Sequence, residues 1–404
     1  MTPEAAGSRQ LDELLRRTEH VVPREELAER LSSGRPLRVK LGLDPTARDV
    51  TLGWAVPLRK LRDFQDRGHT AVLIMGDFTA RIGDPSGKSE TRPQLSKEEV
   101  AANAEACLEA LLDVLSKDNL EVRYNSEWLE PMDMADVLRL TARYTVAQML
   151  ERDDFAKRYK ERRPISVVEF MYPLLQGYDS VAVKADVELG GTDQLFNLLV
   201  GRDLQRAYGQ EPQVCMTLPL LEGLDGIQKM SQSLKNYVAI RERPDVMFGQ
   251  LMSIPDSLIG RYALLTTDME PGEIAEVEAA AHAGGPDAGS AKRRIAARVV
   301  TIYHGADAAE AAEAAFDRQF KEHEAPEEVP EAPIPADAVD GDVVYLPRVL
   351  AELGMASSRG EARRLLTQGG VRVNGEQVTS EEVPVAELKG ALLQVGKRRF
   401  VRLT

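Results

Sequence analysis

Residues 37–43 alternate apolar Leu37, Val39, Leu41 and Leu43 with Arg38, Lys40 and Gly42, the period-two pattern of a strand. After a polar turn, "GWAVPLRKLRDFQDRG" repeats its apolar positions at helical spacing, with Trp54, Leu58 and Leu61 on one face. Pro57 is expected in the first turn of that helix, where a missing N–H is tolerated. "TAVLIMGD" is apolar throughout, the mark of a strand covered on both faces. Strand, helix and strand within about 40 residues make a βαβ unit and hence a parallel sheet. "VELGGTDQLFNLLVGRDLQRAYG" ends another strand at Gly190-Gly191 and opens a helix at Thr192-Asp193, and "QVCMTLPLL" is a further buried strand. The first two-thirds of the chain is therefore expected to be α/β and doubly wound. Helical patterns dominate Ala101 to about Lys160 and Asp245 to Lys321. Residues 321–343 hold eight acidic residues and four prolines and are expected to form an extended linker, with a compact module from Val344 onward.

Composition adds bounds to this picture. The 404 residues are 43% hydrophobic and 29% charged, ordinary for a soluble globular chain with two or three domains. No apolar run approaches the length of a membrane span, and Met1 to Glu13 lack an apolar signal core, so a cytoplasmic location is expected. Cys107 and Cys215 lie far apart among apolar neighbours and read as buried thiols, not as a metal or disulfide site. A net charge of -14 argues against indiscriminate coating of nucleic acid. Yet Val344 to Thr404 carries 10 Lys+Arg against 6 Asp+Glu, a net of +4, leaving -18 on the other 343 residues. A local polyanion contact by the C-terminal module fits that asymmetry.

Candidate chemistry gathers at the predicted strand ends. "GDPSGKSETR" looks like a phosphate loop, but Gly83 and Gly87 enclose three residues where a Walker A loop needs four. Asp84 instead falls where α/β sheets bind ligands, with Lys88 and Arg92 as cations able to reach polyphosphate. In "GGTDQ" the paired glycines allow close backbone approach and an Asp can accept from ribose hydroxyls, although a plain turn is the commoner meaning. "MYPLLQGYDSVAV" sets Tyr172, Gln176 and Asp179 on one helical face, which suits a polar ligand pocket better than a core face. "GIQKMSQSLKN", with Lys229 and Lys235, is by itself a solvated loop.

The order of these segments resembles the tyrosyl-tRNA synthetases, class I synthetases with a Rossmann catalytic domain. The likeness is close across "RPLRVKLGLDPTARD", "GDFTARIGDPSGKSETRP", "YPLLQGYDSVAVKADVELGGTDQLFN" and "TLPLLEGLDG". "LGMASSRGEARRLLTQGGVRVNGEQV" looks like an S4-type RNA-binding module, with "KRRFVRL" as its last basic strand. The resemblance implies a Rossmann-type doubly wound parallel sheet catalytic domain over 1–225, with a helical insertion near 125–165. It further implies a helical domain over 226–320, the linker over 321–343 and a small α+β S4-like domain over 344–404. It implies that Asp84 and Gln176 hold the tyrosine ammonium, with Tyr172 and Thr79 nearby, that Asp179 accepts from the phenol, and that Gln194 contacts the substrate. Gly191 and Asp193 would meet the ribose, Gly53 would lie at the nucleotide, and Thr46, Lys88, Arg92 and Lys229 would face the phosphates of ATP, which brings Mg²⁺ with it. Arg359, Arg363, Arg364, Lys397 and Arg398 are the implied tRNA contacts, and a homodimer through the 125–165 region is implied as well.

Two signatures depart from the family. Where it reads His-x-Gly-His, this chain has Thr51-Leu52-Gly53-Trp54, and where it reads Lys-Met-Ser-Lys-Ser, this chain has Lys229-Met230-Ser231-Gln232-Ser233. None of His20, His69, His282, His304 and His323 is a sequence neighbour able to stand in. Thr51 is expected to keep a hydroxyl donor, Gln232 an amide donor, and Trp54 an indole N–H with bulk that fills part of the adenine slot. The losses fall on the nucleotide side only. That pattern fits a ligase of altered activity, a tyrosine- and tRNA-binding module that forms no adenylate, or a synthetase whose reshaped pocket excludes an inhibitor mimicking the adenylate.

Overall fold

A computed structural model describes residues 3–84, 95–320, 329–396 and 399–404. The chain forms two compact units, Met1–Ala306 and Asp307–Thr404. In the first, six strands are β1 (His20–Val22), β2 (Arg38–Leu43), β3 (Thr70–Met75), β4 (Leu120–Tyr124), β5 (Val187–Gly191) and β6 (Val214–Leu218). They line up in the order β1-β6-β5-β2-β3-β4. All neighbours are parallel except β1, which adds to β6 antiparallel. From β2 the chain winds outward to β3 and β4, and from β5 in the other direction to β6. The gap between the carboxyl ends of β2 and β5 is thus the topological switch point, where such sheets take their ligands.

The apolar run read as a doubly covered strand is β3, buried from Ala71 to Met75. Strand β4 was not expected, because its segment reads as helical. All five of its residues are only half-buried, so this edge strand shows no clean alternation.

The helix after β2 spans Leu52–Gln65, with Leu58 and Leu61 in the core. Two expectations about it need correcting. Trp54 is 37% exposed and does not share their buried face. Pro57 lies in the second turn, so its missing N–H leaves the Gly53 carbonyl without its helical donor. The helices Pro244–Met252, Ile259–Thr266, Pro271–Ala283 and Gly285–His304 belong to the same compact unit as the sheet and do not form a separate body.

In the second unit, helices Leu346–Glu352 and Arg359–Thr367 pack with short strands around Val344, Val349, Leu350, Leu366, Val371 and Leu393. The expected linker is not a linker throughout. Glu331–Ala332 pairs in parallel with Arg399–Leu403, Val339–Asp340 pairs with Val343–Tyr345, and Ala338 is buried in that core. The acidic, proline-rich composition hid these short pairings: Glu331–Ala332 finds its partner in the distant Arg402–Leu403, and Val339–Asp340 forms a two-residue hairpin arm too short to show a pattern.

Candidate active site

Strand β2 delivers Asp44 to the switch point. Its carboxylate accepts from Thr79 Oγ1 at 2.7 Å and from the Tyr172 hydroxyl at 2.9 Å. Gly76, just past β3, makes room for it: a Cβ there would lie 2.0 Å from Asp44 Oδ1. Burial and the carboxylates of Asp44, Asp84 and Asp179 hold the Tyr172 phenol well above its usual range, so it stays a donor.

Beyond β4, Asn125 is clasped to the end of β3, its side-chain oxygen accepting from the Phe78 N–H at 2.9 Å. Its amide donates to Thr79 Oγ1 at 2.9 Å and to Asp179 Oδ2 at 3.4 Å, and the Trp128 indole donates to Asp179 Oδ1 at 2.8 Å. Asp179 is 3% exposed. Burial raises its carboxyl to about 7, opposed by Lys40 and by those two donors. A carboxylate has about four acceptor sites, so two donors leave room for a further one.

A second network lies on the same face of the Val167–Val183 helix. Gln194 Nε2 donates to Asp84 Oδ2 at 2.8 Å, while Asn197 Nδ2 donates at 3.0 Å to both Gln194 Oε1 and Gln176 Oε1. The structure therefore brings Thr79, Tyr172 and Asp179 into one network, and Asp84, Gln176 and Gln194 into the other. Asp44, Asn125, Trp128 and Asn197 complete them. The sequence offered a signal for Asp44 in its Asp-Pro-Thr turn and for Asn125 in "RYNSEW", which becomes a strand-end motif only once β4 is recognised.

On the other side of the switch point, Gly191 ends β5 against Asp193, whose Oδ1 would lie 2.7 Å from a Cβ at Gly191. Lys229 Nζ pairs with Asp193 Oδ2 at 2.6 Å. The two altered signatures lie against each other. Gly53 N–H donates to Met230 Sδ at 3.3 Å, the Gln232 amide donates to the Asp49 carbonyl, and the Leu52 N–H donates to the Val238 carbonyl at 2.9 Å.

Thr51 is buried and its Oγ1 accepts from the Trp54 N–H, so it caps the helix while its O–H remains a donor. Gln232 likewise directs its amide to backbone. Thr46 is exposed beside Asp44. Lys88, Arg92, Lys397 and Arg398 lie outside the described residues. Arg359 and Arg364 are exposed on the Arg359–Thr367 helix, whereas Arg363 on the same helix is held by the Tyr345 hydroxyl and Glu381. His69 is a core residue: its Nδ1 accepts from the Leu37 N–H, and burial lowers it to about 4, so it is neutral.

A parallel sheet with a polar site at its switch point, followed along the chain by a basic α+β module, is the makeup of a class I aminoacyl-tRNA synthetase. Residues 32–321 match the family of tRNA synthetases class I (W and Y), and residues 346–387 match the S4 domain family. The chain is 51% identical to the tyrosine–tRNA ligase of Moorella thermoacetica over 99% of this chain and 97% of that protein. It is 49% identical to that of Thermotoga maritima over 100% and 98%. Among solved structures, a C-terminally truncated mitochondrial tyrosyl-tRNA synthetase of Aspergillus nidulans shares the fold with TM-score 0.64 at 22% identity, covering 78% of this chain and 94% of that one. A tyrosyl-tRNA synthetase complexed with L-tyrosine from Archaeoglobus fulgidus does so with TM-score 0.60 at 22% identity, covering 76% and 99%. The chain belongs to the tyrosine–tRNA ligase family.

Proposed function

We propose that this protein activates tyrosine with ATP, forming tyrosyl-adenylate and releasing pyrophosphate, and then transfers the tyrosyl group to the 3′ end of its tRNA. The observation that carries this reading is the pair of hydrogen-bonded networks on one helix face, which gathers Thr79, Asp84, Tyr172, Gln176, Asp179 and Gln194 at the switch point. In this reading Asp84 and the Gln176 oxygen take the ammonium, and Asp179 accepts from the phenol. Phenylalanine would leave that buried acceptor unsatisfied, which is the basis for rejecting it.

The tyrosine carboxylate attacks the α-phosphate in line, so the protein's work is positioning and charge stabilisation. Asp193 and Gly191 serve the ribose, Gly53 lies at the nucleotide, and Thr46, Lys88, Arg92 and Lys229 serve the phosphates. Because Lys229 is paired with Asp193, a ribose that engages Asp193 also frees the Lys229 cation for the phosphates. Mg²⁺ accompanies ATP as part of the substrate. Among the described residues no group of three or more His, Cys, Asp or Glu side chains is arranged to hold a metal.

Arg359 and Arg364, with Lys397 and Arg398, serve the tRNA backbone. Met134, Leu138, Val146, Tyr159 and Val167 expose apolar side chains in and beside the 125–165 region, which supports a homodimer there. No helix among the described residues is long and apolar enough to cross a membrane, and the proposed location is the cytoplasm.

The test is tyrosine-dependent exchange of pyrophosphate into ATP. Exchange that requires tyrosine is expected. Tyrosine binding by calorimetry with no exchange would overturn the ligase reading in favour of a binding module.

A further inference from the structure

Outside the residues assigned to substrate, Lys40 on β2 and Glu188 on β5 form an ion pair in which both side chains are buried, 0% and 1% exposed and 2.9 Å apart. A buried pair gains little net stability, since desolvation offsets its attraction. Its surroundings point to another role. Lys40 Nζ donates to the Gln176 carbonyl at 3.0 Å and to Ser180 Oγ at 2.8 Å. The ammonium therefore lies against the helical turn that carries Gln176 at one end and Asp179 beside the other.

Glu188 accepts from Ser180 Oγ at 3.0 Å, from Gln176 Nε2 at 3.4 Å and from the Gln213 amide. An ionised carboxylate only accepts, so Gln176 must turn its NH₂ to Glu188 and its oxygen the other way. On that other side Asn197 donates to the oxygen, and the chain of bonds continues through Gln194 to Asp84. An amide oxygen facing there attracts an ammonium, whereas a flipped amide would repel one.

We infer that the Lys40–Glu188 pair is a positioning device for amino-acid selection: Glu188 fixes the Gln176 oxygen toward the substrate ammonium, and Lys40 supplies the counter-charge that keeps Asp179 a carboxylate for the phenol. The inference rests on the tyrosine-pocket reading above. Asp179 is faced by Lys40 from β2, Glu188 from β5, the Trp128 indole and Asn125 amide from beyond β4, and on its own helix by Tyr172, behind which lie Asp44 and Asp84. Of these, Lys40 carries the positive charge.

The test compares Lys40→Met/Glu188→Gln with Asp179→Asn in pyrophosphate exchange driven by tyrosine or phenylalanine, at pH 7 and pH 9. The double variant removes both charges and strands neither, and circular dichroism with thermal melting checks its fold. Expected are a kcat near the parent value, a KM for tyrosine raised about tenfold, and a tyrosine preference lowered about fivefold at pH 7, the ionisation lost when a carboxyl near 7 rises by about one unit, since the effect of Lys40 on Asp179 exceeds the opposite effect of Glu188. That preference recovers at pH 9, where Asp179 ionises without help. A folded double variant with unchanged KM and preference at both pH values overturns the inference. If the double variant does not fold, Lys40→Gln/Glu188→Gln decides, since it is also free of charge and keeps polar side chains for Ser180 and Gln213: KM for tyrosine rises with kcat retained, and an unchanged KM overturns the inference. Asp179→Asn separates the two levels, because survival of tyrosine preference there refutes the pocket reading itself.

Discussion

Burial lifts the Asp179 carboxyl to about 7, against the pull of Lys40, the Trp128 indole and the Asn125 amide. Its folded value lies above its ordinary one, so the sign is opposite to that of a surface ion pair. Below about pH 4 the group is neutral in both states and costs nothing, and between there and pH 7 its ionisation increasingly opposes folding. Asp179→Asn should therefore raise the melting temperature at pH 8 and leave it nearly unchanged at pH 4, while tyrosine preference is lost. Equal shifts at both pH values would show that Asp179 does not carry this cost. Tyr172, Gln176 and Asp179 were legible in the sequence because helical spacing alone puts them on one face. Their partners Asn125 and Trp128 were not, since they reach Asp179 from a strand end that local pattern does not reveal. The capping role of Thr51 was missed for the same reason. Whether a hydroxyl faces solvent or caps a helix depends on where the helix begins.

At the scale of elements, the two altered signatures act as one docked pair of segments. Thr51 caps the Leu52–Gln65 helix, and Thr51→Ala should cost about 1 kcal/mol in urea unfolding. A change below a few tenths would mean that the cap is not in use. The Gln232 amide anchors its loop to the Asp49 carbonyl but brings no charge. Gln232→Lys adds a cation to the loop that carries Lys229, and pyrophosphate exchange should rise by about tenfold or more. An unchanged rate would show that this loop does not approach the phosphates. The βαβ unit and its parallel sheet followed from apolar periodicity, because strands covered on both faces leave a strong local signal. The half-buried edge strand β4 and the two-residue strands near residues 331–340 leave almost none. They are defined by their partners.

For the whole molecule, charge is divided by function: -18 over residues 1–343 and +4 over Val344–Thr404. The acidic part offers no general attraction to a polyanion, so contact with a phosphate backbone falls to the basic part. Arg359→Ala and Arg364→Ala should each raise the KM for tRNA and lower the slope of its salt dependence by about one, leaving pyrophosphate exchange untouched. Arg363→Ala should do less, since Glu381 and Tyr345 already occupy its guanidinium. Equal effects from all three would show that this ion pair opens on binding. The division into units was only partly legible, because composition marks the acidic stretch but not the strands it contributes to the second unit.

The altered signatures should still leave a complete ligase. Incubating the full chain with labelled tyrosine, ATP with Mg²⁺, and tRNA, and measuring acid-precipitable tyrosyl-tRNA, decides this. Tyrosine-specific charging that depends on ATP and is abolished in Asp84→Ala is expected. Absence of charging by folded protein that still binds tyrosine would show that the signatures have cost the ligase its chemistry.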